Sequence, residues 1–228
     1  MANTNAPFGF SQYSGTGSAP TYEQVAVQIA YNASAIYYGD PVEPDANGLV
    51  VRGDGTTAAE GIAGIFVGCK YLSVSQKRTV WSNYFPGIGD VNSTAPAVTA
   101  YVITDPNAQF VVQTANSNTT ASAATLAAIG QNIGIAYGLA PSGAQGTNTN
   151  TLGNNNGNIA SGLSTAYADL YTLGTSNALP FRVIALANYT PDGSNPLAGI
   201  NGNDSTTAYN RIIVAFNNAA MKSGVTGI

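Results

Sequence analysis

The 228-residue chain has no histidine, one cysteine and one tryptophan, and only 8% of its residues are charged. Without histidine it lacks the usual general base, the commonest transition-metal ligand and the imidazole of every Ser-His or Cys-His arrangement. Most hydrolytic mechanisms fall with it. A lone Cys69 excludes an internal disulfide framework, and its setting in Gly-Ile-Phe-Val-Gly-Cys reads as a small buried hydrophobe rather than a reactive thiol. Globular proteins carry roughly 25% charged residues. Here Gly, Thr, Ser, Asn and Ala fill that space, so the surface is polar but nearly free of ions. Such a surface suits packing against other protein, because few ions need desolvating at the contact. The 11 acidic and 7 basic residues are scattered and sum to −4, which leaves no field able to gather phosphates; nucleic acid is not an expected partner. No uncharged apolar run approaches about 18 residues, and no membrane partner is expected. The opening MANTNAPFGFSQYSGTGSAP lacks a basic n-region and an apolar h-region, so the expected place of synthesis is the cytoplasm, without Sec export.

What is present is β-pattern. From Glu23 the chain alternates, with Val25, Val27, Ile29 and Tyr31 on one face and Ala26, Gln28 and Ala30 on the other. Further strands are expected at 35–38, 49–52, 62–72, 79–84, 97–104, 109–114, 133–137, 181–189 and 211–216. Turn chemistry joins them at Gly39-Asp40-Pro41, Asn47-Gly48, Asp54-Gly55, Pro86-Gly87 and Asp105-Pro106-Asn107. Short strands at this spacing imply an all-β fold, mainly an antiparallel barrel or sandwich. The alanine-rich TTASAATLAAI (119–129) predicts the one short helix. Residues 138–162, rich in Gly, Asn and Thr, read as a long loop.

Residues 1–22 read as an extended N-terminal arm and 23–228 as a single β-rich domain. The last strands, in 180–217, are expected to complete the sheet or to reach a neighbour. Phe8, Phe10 and Tyr13 stand on the arm as isolated large apolar groups, either leader residues without a partner or pegs for pockets on another chain.

Candidate chemistry is sparse. Asp40, Glu43 and Asp45 could form a carboxylate pair, but Asp40 and Asp45 stand in turn sequences where Asp caps its own backbone. Asp45, Asn47 and Asp54 depart from the calcium-loop spacing, and the glycines at 61, 64 and 68 match no phosphate-binding fingerprint. No catalytic residue, metal ligand or cofactor is assigned. The densest cluster is Lys77, Arg78 and Trp81, followed by Tyr84 and Phe85. A cation beside an aromatic at a strand start can simply cap a barrel end, whereas Trp, Tyr and Arg together also make the anchors of binding interfaces.

The motifs GDPV, GIFVGCKY, QKRTVWSNYFPG, AYVITDPNAQFVVQ, IGQN, RVIALANYTPDG and NRIIVAFNNAAMKSG, with the opening MANTNAPFGF, span nearly the whole chain. In their order the sequence resembles a family of tailed-bacteriophage head proteins, the capsid cement or decoration proteins. The resemblance implies a virion component without enzymatic activity, sitting on the capsid exterior, bound to major capsid protein and to itself as a homo-oligomer, a trimer rather than a dimer. Under it, residues 76–84 are a structural signature. The Asn-rich run from Asn148 to Asn158 departs from the family pattern. A head-displayed adhesion or glycan-binding module is the alternative.

Overall fold

The computed structural model describes residues 3–15, 24–30, 32–53, 61–93, 98–118, 121–138, 157–187, 204 and 206–220. The N-terminal half contains β1 (Ser11–Ser14), β2 (Gln24–Ile29), β3 (Ile36–Tyr37), β4 (Pro41–Pro44), β5 (Val50–Arg52), β6 (Gly64–Leu72), β7 (Thr79–Ser82) and β8 (Tyr84–Phe85). It is followed by β9 (Val98–Ile103), β10 (Gln109–Ala115), β11 (Asn132–Tyr137), β12 (Gly157–Asn158) and β13 (Leu163–Ser164). The last strands are β14 (Ala166–Gly174), β15 (Phe181–Leu186) and β16 (Arg211–Phe216). The fold is mainly antiparallel β, as the alternation and turn spacing imply.

These strands close into two barrels. In the first, the order β4-β5-β2-β9-β6 returns to β4 through the Pro41↔Ile65 and Val42↔Gly64 pairs, with β7 added outside β6. In the second, β10-β14-β11-β15-β16 returns to β10 through five pairs, from Gln109↔Ala215 to Gln113↔Arg211, with β1 added outside β10. Each barrel has its own core, because alternate residues of every strand face inward. Ile29, Val42, Val50, Phe66, Phe85 and Val102 fill the first. In the second, Phe181 stacks on Phe10 and on Phe216, with ring centroids 4.4 and 5.6 Å apart, and Phe216 meets Phe110 edge-on. Neighbouring residues of one strand serve both barrels: Phe66 and Val102 point into the first core, while Ile65 and Ile103 join the second. The barrels are thereby fused side by side.

Four expectations change. The first is the arm. Residues 3–14 are extended but lie on their own domain: β1 pairs with β10, Phe10 N–H donates to Gly39 O at 2.9 Å, and Asn3 exchanges 2.7 Å hydrogen bonds with the Asp204 backbone. Gly9 makes the passage possible, since a Cβ there would stand 2.7 Å from the Ser164 Cβ. Residues 16–22 lie outside the described residues. The second is the helix. Within 121–129 the only helical element is a 3-10 turn at Leu126–Ala128, because Ala124 and Ala128 are drawn into the second core and Asn210 holds Ala124 by its N–H and its C=O. The third is the sheet system, which divides into two barrels: the late strands do complete a sheet, but it is the second one, with β10 and β11. The fourth is the end of the long loop: 157–164 is a small hairpin of β12 and β13, with Gly157 packed on the Tyr37 ring. Residues 139–156, which hold most of the Asn-rich run, lie outside the described residues.

Candidate functional site

The outer face of the first barrel carries the most exposed large aromatic of the described residues, Trp81, at 67% of its full exposure. Its position follows from the β6–β7 hairpin. The Ser73–Arg78 turn is tied down by Asp90, which accepts from the Ser73 hydroxyl at 2.7 Å and the Ser75 N–H at 2.8 Å. That turn sets the register Lys70↔Trp81 and Leu72↔Thr79, and the pleat sends Lys70, Thr79 and Trp81 outward.

On the other side of β6, Tyr101 of β9 lies opposite Gly68. β6 bulges between Phe66 and Gly68, and a Cβ on Gly68 would crowd the Ser82 carbonyl oxygen at 3.1 Å. Trp81 stacks on Tyr101 with centroids 5.5 Å apart and planes within 14°. The Lys70 Nζ stands 5.3 Å from the Trp81 ring centroid, a cation–π contact. A cleft of about 400 Å³ runs alongside, lined by Gln24, Gly68, Trp81, Ser82, Asn83 and Tyr101 among others. Asn83 Nδ2 donates to the Ser161 carbonyl at 2.8 Å, which fixes the cleft rim to the 157–164 hairpin.

The sequence cluster therefore divides. Trp81 is on the site, but its cation is Lys70, because Lys77 and Arg78 belong to the turn. Lys77 adopts the left-handed conformation (φ 51°), and Arg78 makes a forked bond to Gln76 Oε1 at 3.0 and 2.9 Å. Phe85, expected at an interface, is fully buried in the first core and meets Tyr71 edge-on. Tyr84 is half-buried and stacks on Tyr37 at 5.7 Å. Phe10 is likewise a core residue, 1% exposed. Phe8 is half-buried with the Arg211 guanidinium 5.3 Å from its ring centroid, and Tyr13 stays exposed on β1, away from the Trp81 patch in the fold. Lys70 and Tyr101 were missed. Lys70 was within reach, because a hairpin centred on Ser75-Gln76 sets it opposite Trp81; the approach of Tyr101 across Gly68 is a long-range contact with no local signal.

The carboxylates behave as turn caps. Asp45 accepts from the Asn47 and Leu49 N–H groups, both at 2.8 Å. Asp40 accepts from the Tyr37 N–H at 2.8 Å and from the Ser164 hydroxyl, completely buried. Burial pushes its carboxyl up to about 7, against the opposing pull of those two donors and of Arg52. Cys69 is buried, its thiol 3.3 Å from the Tyr84 carbonyl and pushed up to about 12 by burial, which suits a packing residue. Among the described residues, no group of three or more Cys, Asp or Glu side chains is placed to hold a metal. No family model, curated protein or solved structure matches the chain.

Proposed function

We propose that the chain is a virion structural protein of the capsid cement type, which binds the outside of a major capsid protein shell and stabilises it by bridging subunits. Two things support this reading: the family resemblance of the motifs, and the character of the surface the fold builds. The single observation that carries it is Trp81, two-thirds exposed on a hydrogen-bonded sheet and flanked by Tyr101 and Lys70. A rigid exposed aromatic with a cation beside it is the kind of group that dominates protein contacts. Such a protein acts by mass action: opening a shell joint must also strip its contacts, and many weak contacts per particle reinforce one another.

The test is re-binding to stripped capsids. Trp81→Ala is expected to reduce occupancy and to lower the temperature at which particles release DNA. Full occupancy with an unchanged release temperature would refute the assignment. Deleting residues 2–22 is not a clean test, because it removes Phe10 and β1 from the second barrel.

The same patch gives a second reading some support. An aromatic pair beside a cleft with the Gln24 and Asn83 amides and the Ser82 hydroxyl on its walls is chemistry that suits a sugar ring. Trp81 is the only tryptophan, so its fluorescence reports this surface alone. A saturable shift on adding oligosaccharide, with none on adding capsids, would favour the glycan-binding module.

A further inference from the structure

We propose that the edge of β2 left unpaired among the described residues pairs with the same edge of a second copy of this chain, antiparallel and centred on Ala26, joining two first barrels across a two-fold axis, a dimer in place of the trimer that the resemblance implies. One side of β2 is fully occupied by β9, from Gln24↔Ile103 to Ile29↔Val98. On the other side β5 reaches only Ile29, through Val50. Residues 24–28 therefore present a row of backbone donors and acceptors with no strand beside them among the described residues. Gln24, Val25, Ala26 and Gln28 are exposed, on both faces of the strand.

Proteins blunt such edges with charge, proline, bulges or short length, because an unblunted edge is a template for another strand. The two strands added outside the barrels, β7 and β1, show these devices. β7 is four residues long and begins beside Lys77 and Arg78, and β1 is four residues long with a register break between Gln12 and Ser14. Residues 24–28 hold no charge, proline or bulge, and the one charge nearby is Glu23, directly before them.

Their sequence, Gln-Val-Ala-Val-Gln, reads the same in both directions. Antiparallel pairing about Ala26 sets Gln24 opposite Gln28 of the second copy, Val25 opposite Val27, and Ala26 opposite itself. That self-match is what a two-fold interface requires. It is also matched by face. Val25 and Val27 share the side of Ile29, which is in the first core, and Val27 packs against that core. Pairing continues this apolar layer across the axis and covers Val25, now 42% exposed. Gln24, Ala26 and Gln28 fall on the outer face, where amide can meet amide. A shift of one residue would set Gln28 beside Val25 and turn the first barrel of the second copy over.

The joined sheet would run β7-β6-β9-β2 and back through the second copy, with both Trp81 patches on one face. At about 4.8 Å per strand they stand roughly 34 Å apart along the sheet. Gln24 is shared between this contact and the Trp81 cleft, whereas Val25, Ala26, Val27 and Gln28 belong to the contact alone.

The test is cross-linking in the full chain. With Ala26→Cys, oxidation or a short bis-maleimide linker is expected to give a covalent dimer, since directly opposed Cβ atoms lie about 4.5–5.5 Å apart. Gln24→Cys and Gln28→Cys chains are expected to cross-link when mixed, far more than either alone. Thr79→Cys, on β7, should stay uncross-linked, and buried Cys69 should not interfere. Light scattering should give a dimer mass for the native chain, lost in Ala26→Lys. A monomer or trimer mass for the native chain, or equal cross-linking at Thr79→Cys and Ala26→Cys, would overturn the proposal. If Ala26→Lys does not fold, the cysteine pattern decides.

Discussion

The N-terminal segment, residues 3–14, and the stretch 73–85 look alike in sequence: large aromatics spaced among small and polar residues. In the fold, Phe10 is 1% exposed and stacked 4.4 Å from Phe181, while Trp81 is 67% exposed and stacked on Tyr101. The difference lies in what surrounds each backbone. Gly9 lets the segment pass tightly by Ser164 and Gly39, so the next side chain, Phe10, joins the second core. The hairpin has no such escape. Its register with β6 is fixed by the Asp90-bound turn, and the pleat alone sends Trp81 outward. Aromatic content is alike in the two, and only the strand neighbours separate core from surface.

The sharpest way to break this comparison is to exchange the expected costs. Phe10→Ala empties a core position and is expected to cost about 3–5 kcal/mol in a denaturant titration. A cost near zero would mean the segment is not part of the domain.

Asp40 lies beside the same passage, capping Tyr37 and accepting from Ser164. Its folded pKa, raised to about 7 from 3.8, means the native chain keeps a proton that the unfolded chain has lost. Stability should therefore fall as pH rises from about 4 to about 7, by at most roughly 4 kcal/mol, and level off above. Asp40→Asn should flatten that slope in melting curves taken across the range. An equally steep slope in the variant would remove Asp40 as its source.

Trp81→Ala should change stability by no more than about 1 kcal/mol, since only part of the ring is covered. Its effect should appear in binding instead. A loss of several kcal/mol would place Trp81 with Phe10 as a structural residue. The smallest expected change is a gain: Lys77→Gly relieves a left-handed residue in an exposed turn and should add about 0.5–1 kcal/mol, read as a higher midpoint.

Much of the strand pattern was legible. The Val25–Ile29 alternation, the Gly-rich β6 and the Ile212–Phe216 run all became strands, because side-chain period depends only on local backbone. The nine-residue β14 was not seen. It places Asp169 mid-strand, where the carboxylate accepts from the Ser117 N–H at 3.0 Å and hydroxyl at 2.6 Å, and where outward-facing Tyr167 is also buried. A strand buried on both faces with a satisfied acid inside it shows no alternation to read. The alanine-rich 119–129 stretch misled for a related reason: helix propensity of a few tenths of a kcal/mol per residue yields to burial of Ala124 and Ala128. At the candidate site, Trp81 was legible as a large aromatic, and Lys70 was one hairpin count away. Tyr101 was not legible, because its meeting with Trp81 depends on β9 and β7 flanking the same strand, β6.

By itself the sequence determined a nearly ion-free, histidine-free β chain, the position of most of its strands, and the turn roles of Asp40 and Asp45. Those are local properties, set by composition, by period-two alternation and by capping within a few residues. Only the tertiary structure decided that the strands close into two barrels, that Phe10 and Phe85 are core while Trp81 is surface, and that Lys70 and not Lys77 accompanies the indole. Each of these turns on which strand lies beside which, and strand neighbours far apart in the chain are chosen by packing and register, which no local stretch contains.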